Sequence, residues 1–332
     1  MRLTSAQLTL LRLLGDGYCH SGSELGIALG ITRSAIWKQI NHLIHLGIPI
    51  QRIPHQGYQL PNQLILLNKE QIVEYLLAEK QLDEFNLYLF TSLDSTNRFL
   101  KDLPIFNTID ICCAEMQTQG RGRFGRHWHS PFGENIYCSS RWNLNYDLSK
   151  LPGLSLVTSL SILATLNDLH SSSDIKIKWP NDVLWKDKKL CGSLIEIMTE
   201  SNSTIQVVIG IGLNVNSDTQ NHPLSDKPWC SLYEITKNYF DRNLLIAKLI
   251  INLERYLTQF MCNDLNSFMD EWNKYDYLVG KNVKVTQSLS TLSGVACGIN
   301  QIGQLILKDE SGVTHLLSSG DTSLSGVRPE PF

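Results

Sequence analysis

The sequence predicts an α+β chain in three parts: an N-terminal winged helix-turn-helix, a central mixed or antiparallel sheet with helices on one face, and a small C-terminal β-barrel. Three patterns carry this expectation. Residues 1–62 run helix, glycine-bearing turn, helix and two short alternating segments. Residues 63–278 hold a long apolar helix followed by alternating segments at hairpin spacing, and residues 279–332 contain short strand-like runs broken by turns.

In the first part, Leu8, Leu10, Leu11, Leu13 and Leu14 make a helix that stops at Gly15-Asp16-Gly17. A short helix follows over Glu24 to Leu29, with Ser21 or Ser23 as its cap. Gly30-Ile31-Thr32 turns tightly into a helix over Arg33 to Leu46, whose buried stripe is Ile36, Ile40, Leu43 and Leu46, and Gly47 ends it. Ile48 to Pro54 and Gly57 to Leu60 form a hairpin wing. This arrangement lays its second helix in the DNA major groove. The face opposite the stripe offers Thr32, Arg33, Ser34, Trp37, Lys38 and Asn41, a mixture of phosphate partners and base-edge readers. Five basic against two acidic side chains give residues 1–62 a charge of +3, leaving −6 on the rest of a chain whose total is −3. So modest a charge requires a dimer for useful DNA affinity. A winged helix that only packs on a protein partner is the alternative. The linker, Gln59-Leu60-Pro61-Asn62-Gln63, is short and limits the orientations of front and body.

In the body, Asn68 caps a helix carrying Ile72, Val73, Tyr75, Leu76 and Leu77. A strand over Leu87 to Phe90 runs into Ser95-Thr96-Asn97 and a helix through Phe99 and Leu100. Those three polar residues serve either as a helix cap or as hydroxyl and amide groups for a polar, uncharged ligand head. A strand over Ile111 to Met116 leads into Gln117-Thr118-Gln119-Gly120-Arg121-Gly122-Arg123-Phe124-Gly125-Arg126-His127-Trp128. Arginine supplies planar donor forks suited to phosphate and carboxylate, and the glycines let the backbone close around what the forks grip. The segment reads as an anion-binding loop, with an inconsequential solvated loop as the bland alternative. Its Gly-x-Gly-x-x-Gly also fits a dinucleotide-binding turn, but that needs a helix opening on the last glycine, and Arg126 to Gly133 has no helical period.

A long helix over Gly153 to His170 precedes a strand at Ile175 to Trp179, which Pro180 stops. Lys178-Trp179-Pro180-Asn181-Asp182 leads into a second strand, a turn at Lys186-Asp187-Lys188 and a third strand over Lys189 to Ile197. The apolar run Ile205 to Val215 is a buried strand ending at a site. From Lys281 the runs Val283 to Val285, Gly294 to Ile299, Leu305 to Leu307 and Thr314 to Leu317 suggest a barrel of the SH3-like type.

With 42% hydrophobic and 18% charged residues, the 332-residue chain has the balance of an ordinary globular protein. Met1 to Gln7 begins an amphipathic stretch without the features of a signal peptide, and no run approaches the roughly 18 apolar residues of a membrane span. A cytoplasmic protein with no membrane partner is expected. Its eight cysteines show neither Cys-x-x-Cys nor zinc spacing, so neither disulfide nor structural metal is expected.

Ser95-Thr96-Asn97, Gln117 to Arg123, Lys178 to Asp182, Lys189-Leu190-Cys191-Gly192 and Gly210-Ile211-Gly212-Leu213-Asn214 stand in the order found in biotin protein ligases. With the winged helix in front, the whole chain resembles the bifunctional members that are also biotin operon repressors. The resemblance implies a catalytic fold like that of class II synthetases and a two-step reaction. Biotin and ATP, with Mg2+, give biotinyl-5′-adenylate and pyrophosphate. The biotinyl group then passes to a lysine of the biotin carboxyl carrier protein of acetyl-CoA carboxylase. By position, the resemblance places Ser95, Thr96, Asn97 and Gln117 on the ureido and ring end of biotin, with Gly120 lining the pocket. It puts Arg121 and Arg123 on the biotin carboxylate or adenylate phosphate and Lys189 at the reacting centre. Asn181 and Asp182 are its candidates for magnesium or water, with Lys178 and Asn214 on the nucleotide side and Trp128 and Trp229 as aromatic walls. It further implies a homodimer when the adenylate is bound, acting on the biotin operon operator. The family's closing Gly-Glu-x-Ser-Leu-Arg stands here as Gly320 to Ser325 without its arginine.

Two other functions compete: a lipoate or octanoate ligase of the related fold, and a biotin-sensing repressor without ligase activity. The intact Arg121, Arg123 and Lys189 argue against the second.

Overall fold

A capping box opens the first helix, α1 (Ser5–Leu14): the Thr4 hydroxyl accepts from Gln7 N while the Gln7 side chain accepts from Thr4 N. The same device opens α2 (Gly22–Leu29), where Ser21 pairs with Glu24, so Ser21 rather than Ser23 is the cap. Thr32 caps α3 (Arg33–His45) by accepting from Ala35 N. Ile36, Ile40 and Leu43 of α3 close a small core with Leu10, Leu11, Leu14 and Leu25. The antiparallel pair β1 (Gln51–Ile53) and β2 (Gly57–Gln59) forms the wing, which joins the rest through reciprocal backbone hydrogen bonds between His20 and Tyr58.

The chain is represented by a computed structural model that describes residues 3–79, 82, 84–104, 108–144, 151–169, 174–201, 204–221, 227–287 and 290–324. Ser325 lies outside these residues. The winged helix is seated on the body rather than tethered to it. Phe132 of the body is buried in the front core, Leu64 N donates to Gly15 O at 2.9 Å, and the Glu115 carboxylate accepts from Leu67 N. Arg242, fully buried, binds Glu115 at 2.6 Å and reaches the carbonyls of Ile65 and Asn135.

Asn68 caps α4 (Lys69–Ala78) through Gln71 N, and a seven-stranded mixed sheet follows. Its strands are β3 (Phe85–Phe90), β4 (Ile109–Ala114), β5 (Ile136–Leu144), β6 (Ile175–Lys178), β7 (Asp182–Trp185), β8 (Lys188–Ser201) and β9 (Thr204–Leu213), in the order β3-β4-β5-β9-β8-β7-β6. Only β3 and β4 run parallel. One face of the sheet joins the main core, shared with α4, α6 (Leu151–Asn167) and α8 (Arg242–Asn263). The short α5 (Thr96–Asp102) departs from the one-face expectation, packing Leu100 on Cys112 and Val208, which point to the opposite side. The interior strand β5, to which the sequence pattern assigned nothing, is buried on both faces, and its Arg141 forms an ion pair with Asp110 while donating to the carbonyls of Leu100, Leu103 and Pro104. The helices α8 and α9 (Met269–Tyr275) were likewise not anticipated, and α7 (Leu232–Thr236) follows closely on Trp229.

The strands β10 (Asn282–Thr286), β11 (Thr291–Ile299), β12 (Leu305–Lys308), β13 (Thr314–Leu317) and β14 (Asp321–Leu324) form an antiparallel sheet ordered β13-β12-β11-β10-β14. Val283, Val285, Leu305 and Leu307 continue the core of the body. Trp179 Nε1 donates to Gly303 O and the Thr322 hydroxyl to Trp179 O, each at 3.0 Å, which ties the β6–β7 turn to this sheet. Among the described residues no helix is long and apolar enough to cross a membrane.

Candidate active site

The loop between β4 and β5 folds back on itself: Gly122 N donates to Arg126 O and Trp128 N to Gly120 O, around a single 3-10 turn at Arg123–Gly125. No α-helix opens on these glycines, which removes the dinucleotide-turn reading. Gly120 is required by close approach, since a Cβ there would lie 2.4 Å from Trp128 O. The loop roofs a cleft of about 820 Å³, measured out to its open mouth, over the ends of β7, β8 and β9.

Ser95, Thr96, Asn97 and Gln117 occupy one end of the cleft. Ser95 is at the N-cap position of α5 but its side chain makes no capping bond, so capping is not what its hydroxyl does. Gln117 Oε1 accepts from Thr96 N at 2.9 Å and Gln117 Nε2 donates to Ser130 Oγ at 3.2 Å. Thr96, Ser139 and Asn97 are joined by hydrogen bonds of 2.6 Å.

The charged end is built on the β7–β8 hairpin. Lys189 Nζ lies 2.7 Å from Asp182 Oδ1 and 5.2 Å above the Trp128 ring. That ring rests on Gly192 and Gly212, paired glycines of β8 and β9, and a Cβ on Gly212 would come within 2.4 Å of it. Among the described residues no acceptor reaches the buried Trp128 Nε1. Arg123 donates to Asn181 Oδ1 at 3.2 Å and to Gly320 O at 3.3 Å. Burial lowers its pKa, and the charges of Asp182 and Asp321 work in the opposite direction. Burial also lowers the pKa of Lys178, which senses the same two carboxylates. Asp321 is half-buried, which opposes its charge, yet Arg126 at 3.0 Å and Lys227 at 3.1 Å hold its carboxyl well below the usual range.

Ser95, Thr96, Asn97, Gln117, Arg121, Arg123, Trp128, Asn181, Asp182 and Lys189, all expected from the sequence, thus line one cleft. Arg121 stands differently from its two cationic companions, half-exposed with its guanidinium 3.6 Å from Glu196. Gly120 sits behind the loop in a shallower depression with Arg98 and Thr118. Lys178, Asn214 and Trp229 are not among the cleft-lining residues. The Asn214 amide donates to the carbonyls of Cys230 and Lys189, and Trp229 lies in a β-bridge with Lys189 ahead of α7. Glu196, Ser139, Arg126, Lys227 and Asp321 were not singled out from the sequence. A lone carboxylate within the apolar Leu194-Ile195-Glu196-Ile197 was the available signal for the first.

On the front part, the cap residue Thr32 and Arg33, Ser34 and Lys38 of α3 are exposed, and Trp37 is 51% exposed. The Thr32 hydroxyl is engaged by its cap and by Ser34, and Asn41 accepts from Arg52 of the wing, which adds a cation to this face.

Residues 89–214 match the biotin/lipoate A/B protein ligase family, and residues 6–59 match an HTH domain. The chain is 36% identical to the bifunctional ligase/repressor BirA of Salmonella typhimurium over 98% of its own length and 99% of the relative's. It belongs to the bifunctional ligase/repressor family. BirA of Escherichia coli is 35% identical, with 98% of each chain covered. The biotin protein ligase from Aquifex aeolicus in complex with biotin and ATP superposes with a TM-score of 0.61 at 28% identity, covering 72% of this chain and 98% of that one. The ligase-family match runs from β3 to the end of β9, so in this ligase/repressor it takes in every cleft-lining strand except β14, which contributes Asp321.

Proposed function

We propose that the chain activates biotin with ATP and transfers the biotinyl group to a lysine of a biotin carboxyl carrier protein, and that with the adenylate bound it dimerises and represses the biotin operon. The observation that carries the ligase reading is the convergence of Arg123, Lys189 and Asp182 with the hydroxyl and amide groups of Thr96 and Gln117 in a single cleft. The polar end suits a neutral cyclic urea, which a lipoyl or octanoyl chain lacks.

In the first step a biotin carboxylate oxygen forms a bond to the α-phosphorus of ATP as the bond to the β-phosphate oxygen breaks and pyrophosphate leaves. Two anions must approach, and Lys189 and Arg123 offset their charge in a site that the loop shields from water. Asp182 keeps the Lys189 ammonium aimed into the cleft. Asn181 and the single carboxylate of Asp182 would hold a magnesium ion, which would supply further positive charge to the phosphates. In the second step the carrier lysine amine attacks the mixed anhydride, an amide forms and AMP leaves. Trp128, over Gly192 and Gly212, covers the adenylate between the steps. Lys178, Asn214 and Trp229 serve the nucleotide side once ligand draws the loops inward. The parts are residues 1–62, 63–278 and 279–332, the last an SH3-like barrel. The exposed face of α3 reads the operator.

Incubating the protein with ATP, labelled biotin and a carrier domain tests this reading. Labelled carrier is expected from the wild type, with Lys189→Met slower by about 10²–10³-fold, the loss typical of removing one group that stabilises developing charge. A wild-type protein that leaves the carrier unlabelled refutes the ligase function.

A further inference from the structure

Glu196 is not itself a cleft-lining residue, yet it terminates a chain of hydrogen bonds that ends on the cleft wall. Its carboxylate receives Asn97 Nδ2 and Lys101 Nζ, each at 2.9 Å, with Arg121 at 3.6 Å. Burial opposes its charge, but the Lys101 and Asn97 hydrogen bonds outweigh this and its pKa is lowered. Glu196 is therefore an acceptor only. Asn97 Nδ2 also faces Leu194 O at 3.3 Å, a second group that can only accept. Both partners demand the amide nitrogen, so the Asn97 oxygen must point the other way, to Ser139.

From there each proton is assigned in turn. Ser139, fully buried, donates its single hydroxyl proton to Asn97 Oδ1 at 2.6 Å. The 2.6 Å contact between Ser139 and Thr96 must then use the Thr96 proton, which is withdrawn from the longer 3.2 Å contact to Gln117. Thr96 is left presenting lone pairs to the cleft. Gln117, whose Oε1 accepts from Thr96 N, is oriented with its Nε2 as the donor. An acceptor thus stands beside a donor, the complement of an N–H beside a C=O.

We propose that Glu196 is a positioning residue for recognition of the cyclic urea: through Asn97 and Ser139 it fixes the polarity of Thr96 as an acceptor for a ureido N–H. This rests on the biotin reading above. A neutral amide at 196 could donate as well as accept, letting Asn97 turn over. Ser139 would then give its proton to Thr96, and the wall would lose its preference.

The test is steady-state biotin-dependent pyrophosphate exchange by the full chain. Glu196→Gln preserves size and loses acceptor-only character, and it is expected to raise KM for biotin about tenfold with kcat and KM for ATP little changed. Glu196→Asp is smaller but still accepts only, and it is expected to remain within about threefold of wild type. That ranking separates polarity from packing, because a structural role would favour glutamine. Ser139→Ala is expected to match Glu196→Gln, and the double variant to be no worse than the weaker single. Should Glu196→Gln not fold, Ser139→Ala against Glu196→Asp gives the same comparison. Asp more damaging than Gln, or Glu196 and Ser139 effects that multiply, would overturn the relay. A wild-type protein that exchanges no pyrophosphate with biotin would overturn the biotin reading and the relay with it.

Discussion

Replacing Gly212 by alanine tests whether the aromatic roof and the glycine floor are one device. The new methyl carbon would lie 2.4 Å from Trp128 Cε2 and 2.7 Å from Nε1, whereas ordinary contact begins near 3.4 Å. The indole must therefore retreat by about 1 Å, and it can, because Trp128 belongs to a loop and not to the core. β9 itself is central and paired on both sides, with Tyr137 and Gly192 as the partners of Gly212, so the sheet will not yield instead. Stability should change little. Catalysis should not escape, since a misplacement of about 1 Å at a reacting centre costs about 10²-fold. The assay is kcat/KM for biotin-dependent pyrophosphate exchange, with thermal unfolding measured in parallel. In Trp128→Ala the methyl has nothing to displace, so adding Gly212→Ala to it is expected to cause no further loss. Full activity in Gly212→Ala, or independent losses in the double variant, would refute the proposed contact between roof and floor.

Three further outcomes are expected. Arg33→Ala with Lys38→Ala should weaken operator binding and reduce the salt dependence of log K by about 1.8, or about 0.9 for each phosphate that is no longer neutralised, in an anisotropy titration over a salt series; an unchanged slope would remove α3 from the phosphate backbone. Asp321 has a depressed native pKa, so its contribution to stability is complete well above the ordinary carboxyl value of 3.8 and is lost as pH falls through the lower native value. Urea unfolding of Asp321→Asn below pH 4 should therefore show a shallower acid dependence than wild type, and identical slopes would place the Arg126 and Lys227 contacts outside the energetics of folding. Arg141→Met leaves Asp110 buried without its cation and should cost about 3–5 kcal/mol in the same unfolding assay, while adding Asp110→Leu should restore much of the loss; equal costs for single and double variants would contradict the pairing.

How much of this was legible in the sequence depended on where each residue's constraint arises. Arg121, Arg123, Asp182 and Lys189 stand on loops and strand ends, where neither a helix nor a sheet asks for that residue type, so their identities report on chemistry and could be read in order along the chain. Their supports obey long-range constraints instead. Nothing local links Glu196 to Asn97 or Asp110 to Arg141, and β5 is buried on both faces, which erases the alternation that marks a strand with one wet side. α8 is a different case. Asp241 caps it through Asn243 N, and Leu245, Leu249, Leu253 and Leu257 recur along one side, so both its start and its buried stripe are local signals. α6 was found in spite of lacking a polar face, because its hydroxyls are satisfied within the helix: Thr158 donates to Leu154 O and Ser159 to Ser155 O, leaving a long run without a breaker. The same distinction explains the C-terminal part. Its alternation made the strands visible, but that Asp321 would hold Arg126 of the ligand loop follows only once β14 is paired beside β10, a consequence of topology that no local pattern carries.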